Sequence, residues 1–336
     1  MIAYYTDHFV LPLPPTHRFP MTKYARLRER LIGLGARTQP GPDGLDVPCT
    51  TMPGGAMDIV LCVPSAASDE ELALAHDPAY VAAVSEGRLG ATAQRRIGFP
   101  WSPAMVERSR RSVGASIAAA RAAARDGVSV NLAGGTHHAH RALGEGYCVF
   151  NDVAVAARVA LRDGLATRVL VVDLDVHQGN GTASIFAGDP EVFTLSMHGA
   201  GNYPFSKSVS DLDFALDDGT DDEGYLRCLD LALDEAFLRA RPDFVFYVAG
   251  VDPFEGDLLG RLALTSEGLR ERDARVFART SGSGVPVVVT MAGGYARDVD
   301  VIAELHAQTV LLAGRSLESR CQAPMAKDPS LQGACT

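Results

Sequence analysis

The sequence predicts an α/β fold: one domain built on a doubly wound, mostly parallel sheet with helices on its faces. Three observations predict it. Six short runs rich in Val and Ile end in polar residues or glycine. Helical stretches alternate with these runs over most of the chain, as a doubly wound sheet requires. Clusters that combine glycine with His, Asp or Tyr stand at the carboxyl ends of four runs, where open parallel sheets bind ligands.

Taken in order, Gln39–Gly55 is rich in Pro and Gly and reads as a loop. Ile59–Val63 is the first strand, and Ala91–Trp101 a second loop. Ser102-Pro103 places an N-cap before a proline at the first helical position, so a helix runs over Ser102–Arg125. Val128–Leu132, Val169–Asp173, Val192–Ser196, Phe244–Ala249 and Val285–Met291 complete the strands. Their continuous apolar character fits strands buried on both faces. Asp152–Arg162, Asp222–Arg241, Ser266–Thr280 and Asp298–Leu312 are the remaining helices, and Gly199–Ser210 is a third loop. Periodicity is lost from about Ser316, so residues 316–336 are expected to form a mobile tail behind a single domain of residues 1–315. No internal repeat or interior linker argues for a second domain.

The chain has 336 residues, enough for a sizeable core, with 47% hydrophobic and 21% charged residues. Its net charge of −10 and isoelectric point near 5.4 exclude bulk attraction for nucleic acid or an anionic membrane. Arg95-Arg96 and Arg108, Arg110 and Arg111 cluster, and read as a solvated helix face. No apolar stretch is long enough to span a bilayer, and the opening MIAYYTDHFV, which lacks a charged segment followed by an apolar one, is not expected to act as a signal peptide. Cys49, Cys62, Cys148, Cys228, Cys321 and Cys335 are scattered without a CxxC pair. Reduced thiols and a cytoplasmic location are expected.

The four clusters are Gly134-Gly135-Thr136-His137-His138, Asp173–Gly181, Gly250-Val251-Asp252 and Gly293-Gly294-Tyr295. Separate capped turns would explain the glycines. They would not explain Asp and His packed so densely beside apolar strands, where unpaired burial costs several kcal/mol. Asp173, Asp175 and His177 are spaced i, i+2, i+4, so continued strand geometry points all three to one face. Carboxylate and imidazole suit a divalent first-row metal. A third ligand must come from elsewhere, and Asp252 at another strand end is the obvious candidate. Three protein ligands leave a position open, as a catalytic site needs. The same set accommodates Fe(II) as well as Zn²⁺.

The segments GGTHHAHRALGEGYCVFND, VVDLDVHQGNGT, YVAGVDPFEGD and MAGGY resemble the successive motifs of the arginase-deacetylase superfamily on its histone deacetylase branch. They stand in the family's order across roughly residues 70–315 and are most similar to class IV members and their bacterial relatives. The resemblance implies one α/β domain with a sheet of about eight strands. It implies Asp175, His177 and Asp252 as zinc ligands, and His137 and His138 as the acid-base pair. It makes Asp173 the carboxylate partner of His137, and Tyr295 the hydroxyl that polarises the substrate carbonyl. Gly146, Tyr147 and Tyr203 match the walls of an acyl-lysine tunnel. A structural K⁺ is implied at Asp173, Asp175, His177, Ser196 and Met197.

The chain departs from many members at Asn180, where they carry aspartate. An amide stabilises imidazolium less than a carboxylate does, so His138 should stay neutral and serve as general base. The aspartate by which other members grip the substrate backbone is not placed in this chain.

The activity implied is removal of an acyl group from a lysine side chain, with a peptide or a small acylated amine as substrate. Ureohydrolysis would need a second metal, and Gln178-Gly179-Asn180-Gly181 supplies no ligands for one. A dead acyl-lysine binder would need no general base. Oligomeric state is not legible. His8, His17, His76 and His306 read as surface or capping residues, and His140 and His198 as residues that hold loops. Trp101 reads either as a substrate-facing lip or as a hydrophobic staple for the helix that follows.

Overall fold

The structure is a computed structural model and describes residues 1–14, 16–42 and 58–322. Its strands are β1 (Ile2–Tyr4), β2 (Arg37–Pro42), β3 (Val60–Val63), β4 (Val128–Asn131), β5 (Val169–Asp173), β6 (Val192–Gly199), β7 (Leu212–Leu216), β8 (Phe244–Val248) and β9 (Val287–Thr290). Among the described residues they form one nine-stranded sheet, one strand more than expected, in the order β2-β3-β1-β4-β9-β8-β5-β6-β7. Every neighbouring pair is parallel.

The helices are α1 (Lys23–Gly33), α2 (Asp69–Leu72), α3 (Pro78–Ser85), α4 (Ala91–Ile97), α5 (Pro103–Asp126), α6 (Asp152–Arg162), α7 (Asn180–Ile185), α8 (Asp222–Ala240), α9 (Ser266–Gly282) and α10 (Val299–Gln322). Their starts follow local chemistry. Ser102 caps α5 by accepting from the Met105 amide at 3.1 Å, and Asn151 caps α6 from Ala154 at 3.0 Å. Asp221 and Thr265 cap α8 and α9 in the same way.

Alternation in the strands divides the core between the two sheet faces. On β8, Phe244, Phe246 and Val248 enter one cluster with α5 and α6, whereas Val245 and Tyr247 enter the other with α8, α9 and α10. Both faces are covered, so these strands read as unbroken apolar runs.

The structure revises several expectations. Ala91–Trp101 holds helix α4 rather than only loop, and residues 39–42 belong to β2; residues 43–55 of that predicted loop lie outside the described residues. Helix α10 continues past Ser316 to Gln322, and residues 323–336 lie outside the described residues. Arg108 is buried rather than solvated, with its guanidinium 4.4 Å from the Tyr24 ring centre. His76 and His306 are buried and not surface residues. Cys148 and Cys228 are free thiols and Cys62 is buried; the other three cysteines lie outside the described side chains. No helix among the described residues is long and apolar enough to cross a membrane.

The order of the strands sets the site. The four clusters follow β4, β5, β8 and β9, which are far apart in sequence yet stand side by side as β4-β9-β8-β5. Their carboxyl-terminal turns therefore open into one crevice.

Candidate active site

Past the last rung of the β5–β8 ladder, the chain after Asp173 carries Asp175 and His177, and the chain after Val248 carries Asp252. Asp175, His177 and Asp252 are buried, and one ligand atom from each lies within 4.8 Å of the others. His177 Nδ1 is 3.0 Å from Asp175 Oδ1 and 3.1 Å from Asp252 Oδ2. Backbone amides aim the carboxylates: Val176 donates to Asp252 Oδ1 at 2.9 Å, and Gly293 donates to Asp175 Oδ2 at 2.9 Å. A Cβ at Gly293 would collide with the carboxylates of Asp252 and Asp175, so glycine is required where the β9 turn crosses the cluster.

The electrostatics suit a cation. Burial, then the charge of Asp175, raises Asp252 to about 7, because two buried carboxylates cannot both ionise without compensation. Burial acts to lower His177, but Asp175 and Asp252 outweigh it and raise the ring to about 10. The cluster thus seeks positive charge at its centre. Two carboxylates and an imidazole are a donor set that a divalent first-row ion satisfies.

The tandem histidines sit beside this cluster, their ring centres 4.2 Å apart. His137 Nδ1 is 2.7 Å from Asp173 Oδ2. His138 Nδ1 is 2.7 Å from Asn180 Oδ1. The Asn180 amide is oriented by its other end, since Nδ2 donates to Glu145 Oε1 at 2.7 Å. Its oxygen therefore faces His138 and accepts from Nδ1–H, which leaves Nε2 with the lone pair. Burial pushes His138 well below the usual histidine range, and His137 and His177 push the same way. Burial also acts to lower His137, but Asp173 and Asp175 outweigh it and raise the ring to about 9. The two rings are thus driven to opposite protonation states. The neutrality of His138 comes mainly from burial and not from Asn180, whose hydrogen bond acts to raise the ring.

A cavity of about 510 Å³ opens onto this centre. Tyr147, Tyr203, Tyr295 and Gly146 line it. The Tyr203 ring lies 5.0 Å from His138, and the Tyr147 ring 6.4 Å from Tyr295. Tyr147 is held in the left-handed region at φ 65, a strained conformation for an aromatic residue. Its amide donates to Ile97 at 2.8 Å and that of Gly146 to Arg96 at 3.2 Å, which fixes the wall against α4. Burial, then Asp252 and Asp175, pushes the Tyr295 phenol well above its usual range, so it keeps its proton. Trp101 does not line the cavity; its indole N–H donates to the Val84 carbonyl at 2.8 Å.

Every residue proposed as a zinc ligand, as part of the acid-base group or as a wall converges here. Ser196 and Met197 do not line the cavity. Ser196 pairs with Asp173 across β5 and β6, its hydroxyl 3.0 Å from His198 Nδ1, and Met197 is buried beside it. His140 and His198 stay out of the metal cluster. Sequence reasoning missed three contributors. Glu145 orients Asn180. Asp257 accepts the Tyr295 amide at 2.6 Å, and Lys23 donates to the Ala292 carbonyl at 2.9 Å. Asp257 ends the Glu255-Gly256-Asp257 motif and was within reach. Lys23 had no local signal, since its partner lies at the far end of the chain.

The Histone deacetylase domain family matches residues 49–311. An uncharacterized protein of Picosynechococcus sp. is 43% identical over 305 residues, covering 91% of this chain and 95% of that one. Histone deacetylase 2 of Arabidopsis thaliana is 36% identical over 189 residues, covering 55% of this chain, which spans only 49% of that relative. The crystal structure of the HDA15 HD domain superposes with a TM-score of 0.72, covering 95% of this chain and 94% of that one; at 23% identity the likeness concerns the fold. The family match across most of the chain, on the predicted sheet and around these converging residues, places this protein in the histone deacetylase family of amide hydrolases.

Proposed function

We propose that the protein is a zinc-dependent amidohydrolase that removes an acyl group, acetyl or longer, from the Nε of an acylated lysine side chain. One observation carries the reading: the buried Asp175–His177–Asp252 cluster lies on the wall of a cavity that also receives His138 and Tyr295. Asp175, His177 and Asp252 would hold a divalent ion, zinc or Fe(II), which would supply the Lewis acidity to activate water and polarise an amide carbonyl. His138, neutral and with Nε2 free to accept, takes a proton from the attacking water. Tyr295 keeps its proton and donates a hydrogen bond to the carbonyl oxygen as charge grows there. His137, held by Asp173, supports the pair and provides a proton for the departing amine. In this reading residues 1–315 are the catalytic domain. A structural K⁺ at Asp173, Asp175, His177, Ser196 and Met197 remains part of the reading.

The lining favours acyl-lysine over small polyamines. Apart from Asp175 and Asp252, the described lining contains no carboxylate, and the exposed Arg95, Arg96 and Arg261 belong to it. Arg96 and Arg261 are paired with Glu145 and Asp218, so the like charge that a polycation would meet comes from Arg95 and Arg108. Leu11, Phe19, Phe99, Met105 and Phe150 extend the apolar lining, giving more room than an acetyl group needs.

The test is a hydrolysis panel of lysine peptides and polyamines carrying acetyl, mid-length and long acyl groups. Turnover of peptides, with chains longer than acetyl accepted, is expected. Turnover of acylated polyamines but not peptides would reverse the substrate assignment.

A further inference from the structure

Helix α9 carries a charged pair with no place on the surface. Arg272 is fully buried, and so is Asp273 beside it. Arg272 Nε donates to Asp273 Oδ1 at 2.9 Å, and Nη2 lies 2.8 Å from the same oxygen. Asp273 also accepts from the hydroxyls of Tyr247 and Thr309. A buried ion pair is often no better for stability than well-packed apolar groups. The placement of the remaining donor is therefore informative.

Arg272 Nη1 donates to the Gly250 carbonyl at 2.6 Å and reaches the Leu174 carbonyl at 3.4 Å. Leu174 lies between Asp173 and Asp175, and Gly250 stands two residues before Asp252. Both lie beyond the β5–β8 register, which ends at Asp173 opposite Val248. The Leu174 amide makes the last rung, to the Val248 carbonyl at 3.1 Å. Past that rung, the two ligand-bearing turns have no ladder between them. Among the described residues Arg272 is the only donor to either carbonyl.

We infer that Arg272 is a positioning residue of the metal centre: from beneath the sheet edge its guanidinium ties the main chains of the Asp173–His177 and Gly250–Asp252 turns and sets the spacing of the ligands they carry. The inference rests on the proposed metal site. The planar fork matters because a charge-assisted donor with fixed geometry constrains both carbonyls at once. An ammonium in its place would keep the charge beside Asp273 but not the two-carbonyl grip.

The test uses metal-free full-length protein loaded with Co²⁺. R272M/D273N removes both charges of the pair and keeps hydrogen-bonding capacity toward Thr309; R272K keeps the cation. We expect both variants to bind Co²⁺ about 10- to 100-fold more weakly in chelator competition, the range typical of lost outer-sphere support. The visible Co²⁺ spectrum should shift, and the metal-free melting temperature of the double variant should stay within a few degrees of wild type. Co²⁺ affinity and spectrum equal to wild type in a folded variant would overturn the inference, as would failure of both variants to fold, which would make Arg272 a folding residue. Failure of the wild-type chain to bind Co²⁺ would instead remove the metal reading itself.

Discussion

Asn180 presents its amide oxygen to His138, 2.7 Å from Nδ1, and Glu145 holds the amide in that orientation from the other side. The tautomer of His138 is set by this chain of three residues, and with it the nitrogen that can accept a proton. His138→Ala should lower turnover by about 10²- to 10⁴-fold, the usual worth of a positioned general base, while metal content stays at the wild-type level. Asn180→Asp places a carboxylate where the amide stands and so favours imidazolium. The acid limb of the kcat/KM profile should then move to higher pH. An unmoved limb, or near wild-type turnover in His138→Ala, would remove His138 from the role of base.

Tyr295 follows Gly293-Gly294 in the β9 turn, and its amide is pinned to Asp257 at 2.6 Å. Its phenol keeps its proton at neutral pH, since burial and the nearby carboxylates oppose ionisation. Tyr295→Phe removes one donor and little volume. A loss in kcat of about 10²- to 10³-fold, or about 3 kcal/mol, is expected with KM nearly unchanged, because the contact strengthens as charge develops on the oxygen. Wild-type kcat in this variant, with chemistry rate-limiting, would show that another group meets that oxygen.

The strands around the site were legible because both faces of the sheet are covered. Val169–Val172 and Phe244–Val248 are apolar without a break, and no amphipathic pattern had to be disentangled. Edge elements were harder. Strand β1 has three residues, too few for periodicity, and β7 at the sheet edge alternates burial. Helix α1 carried a readable stripe of Tyr24, Leu27 and Leu31 that was passed over. Two of the three residues in the Asp175–His177–Asp252 cluster were legible because Asp175 and His177 lie within one short motif. Arg272, Glu145 and Lys23 were not, since each acts on a residue brought near only by the crossing order of the sheet.

Three ligands on two adjacent turns imply one catalytic divalent ion per chain. Elemental analysis of the purified protein should find about one zinc or iron, and Asp252→Ala should lose it, because that carboxylate is one of the three groups clustered to hold an ion among the described residues. Ion binding should also raise the melting temperature in a concentration-dependent way, by mass action on the native state. Two tightly bound manganese ions per chain would contradict both the ligand count and the deacylase reading.

His76 makes the stability of the fold depend on pH. It is buried under the loop that carries the tandem histidines: Nδ1 lies 3.0 Å from the His140 carbonyl, and Nε2 accepts the Asn151 amide at 2.9 Å. Nδ1–H is the donor to the carbonyl, so Nε2 must hold a lone pair and the ring must be neutral. Burial lowers its pKa from 6.5 to about 4. The unfolded chain keeps an ordinary histidine at this position. Between pH 6.5 and about 4 the unfolded chain therefore binds a proton that the folded chain refuses. The stability contributed by the neutral ring is fully present above the unfolded value and is lost as pH falls through this window. By pH 5 the loss from this one group should reach about 2 kcal/mol. His76→Gln keeps a donor and an acceptor on a side chain that does not titrate. Urea unfolding at pH 7.5 and pH 5 measures the difference directly. The variant should be less stable than wild type at pH 7.5, from imperfect packing, but should lose about 2 kcal/mol less on acidification. The other buried histidines contribute equally to both chains and cancel in the comparison. An identical acid loss in both would mean that His76 is protonated as readily in the fold as in the unfolded chain, and that its bond to Asn151 is not the one described.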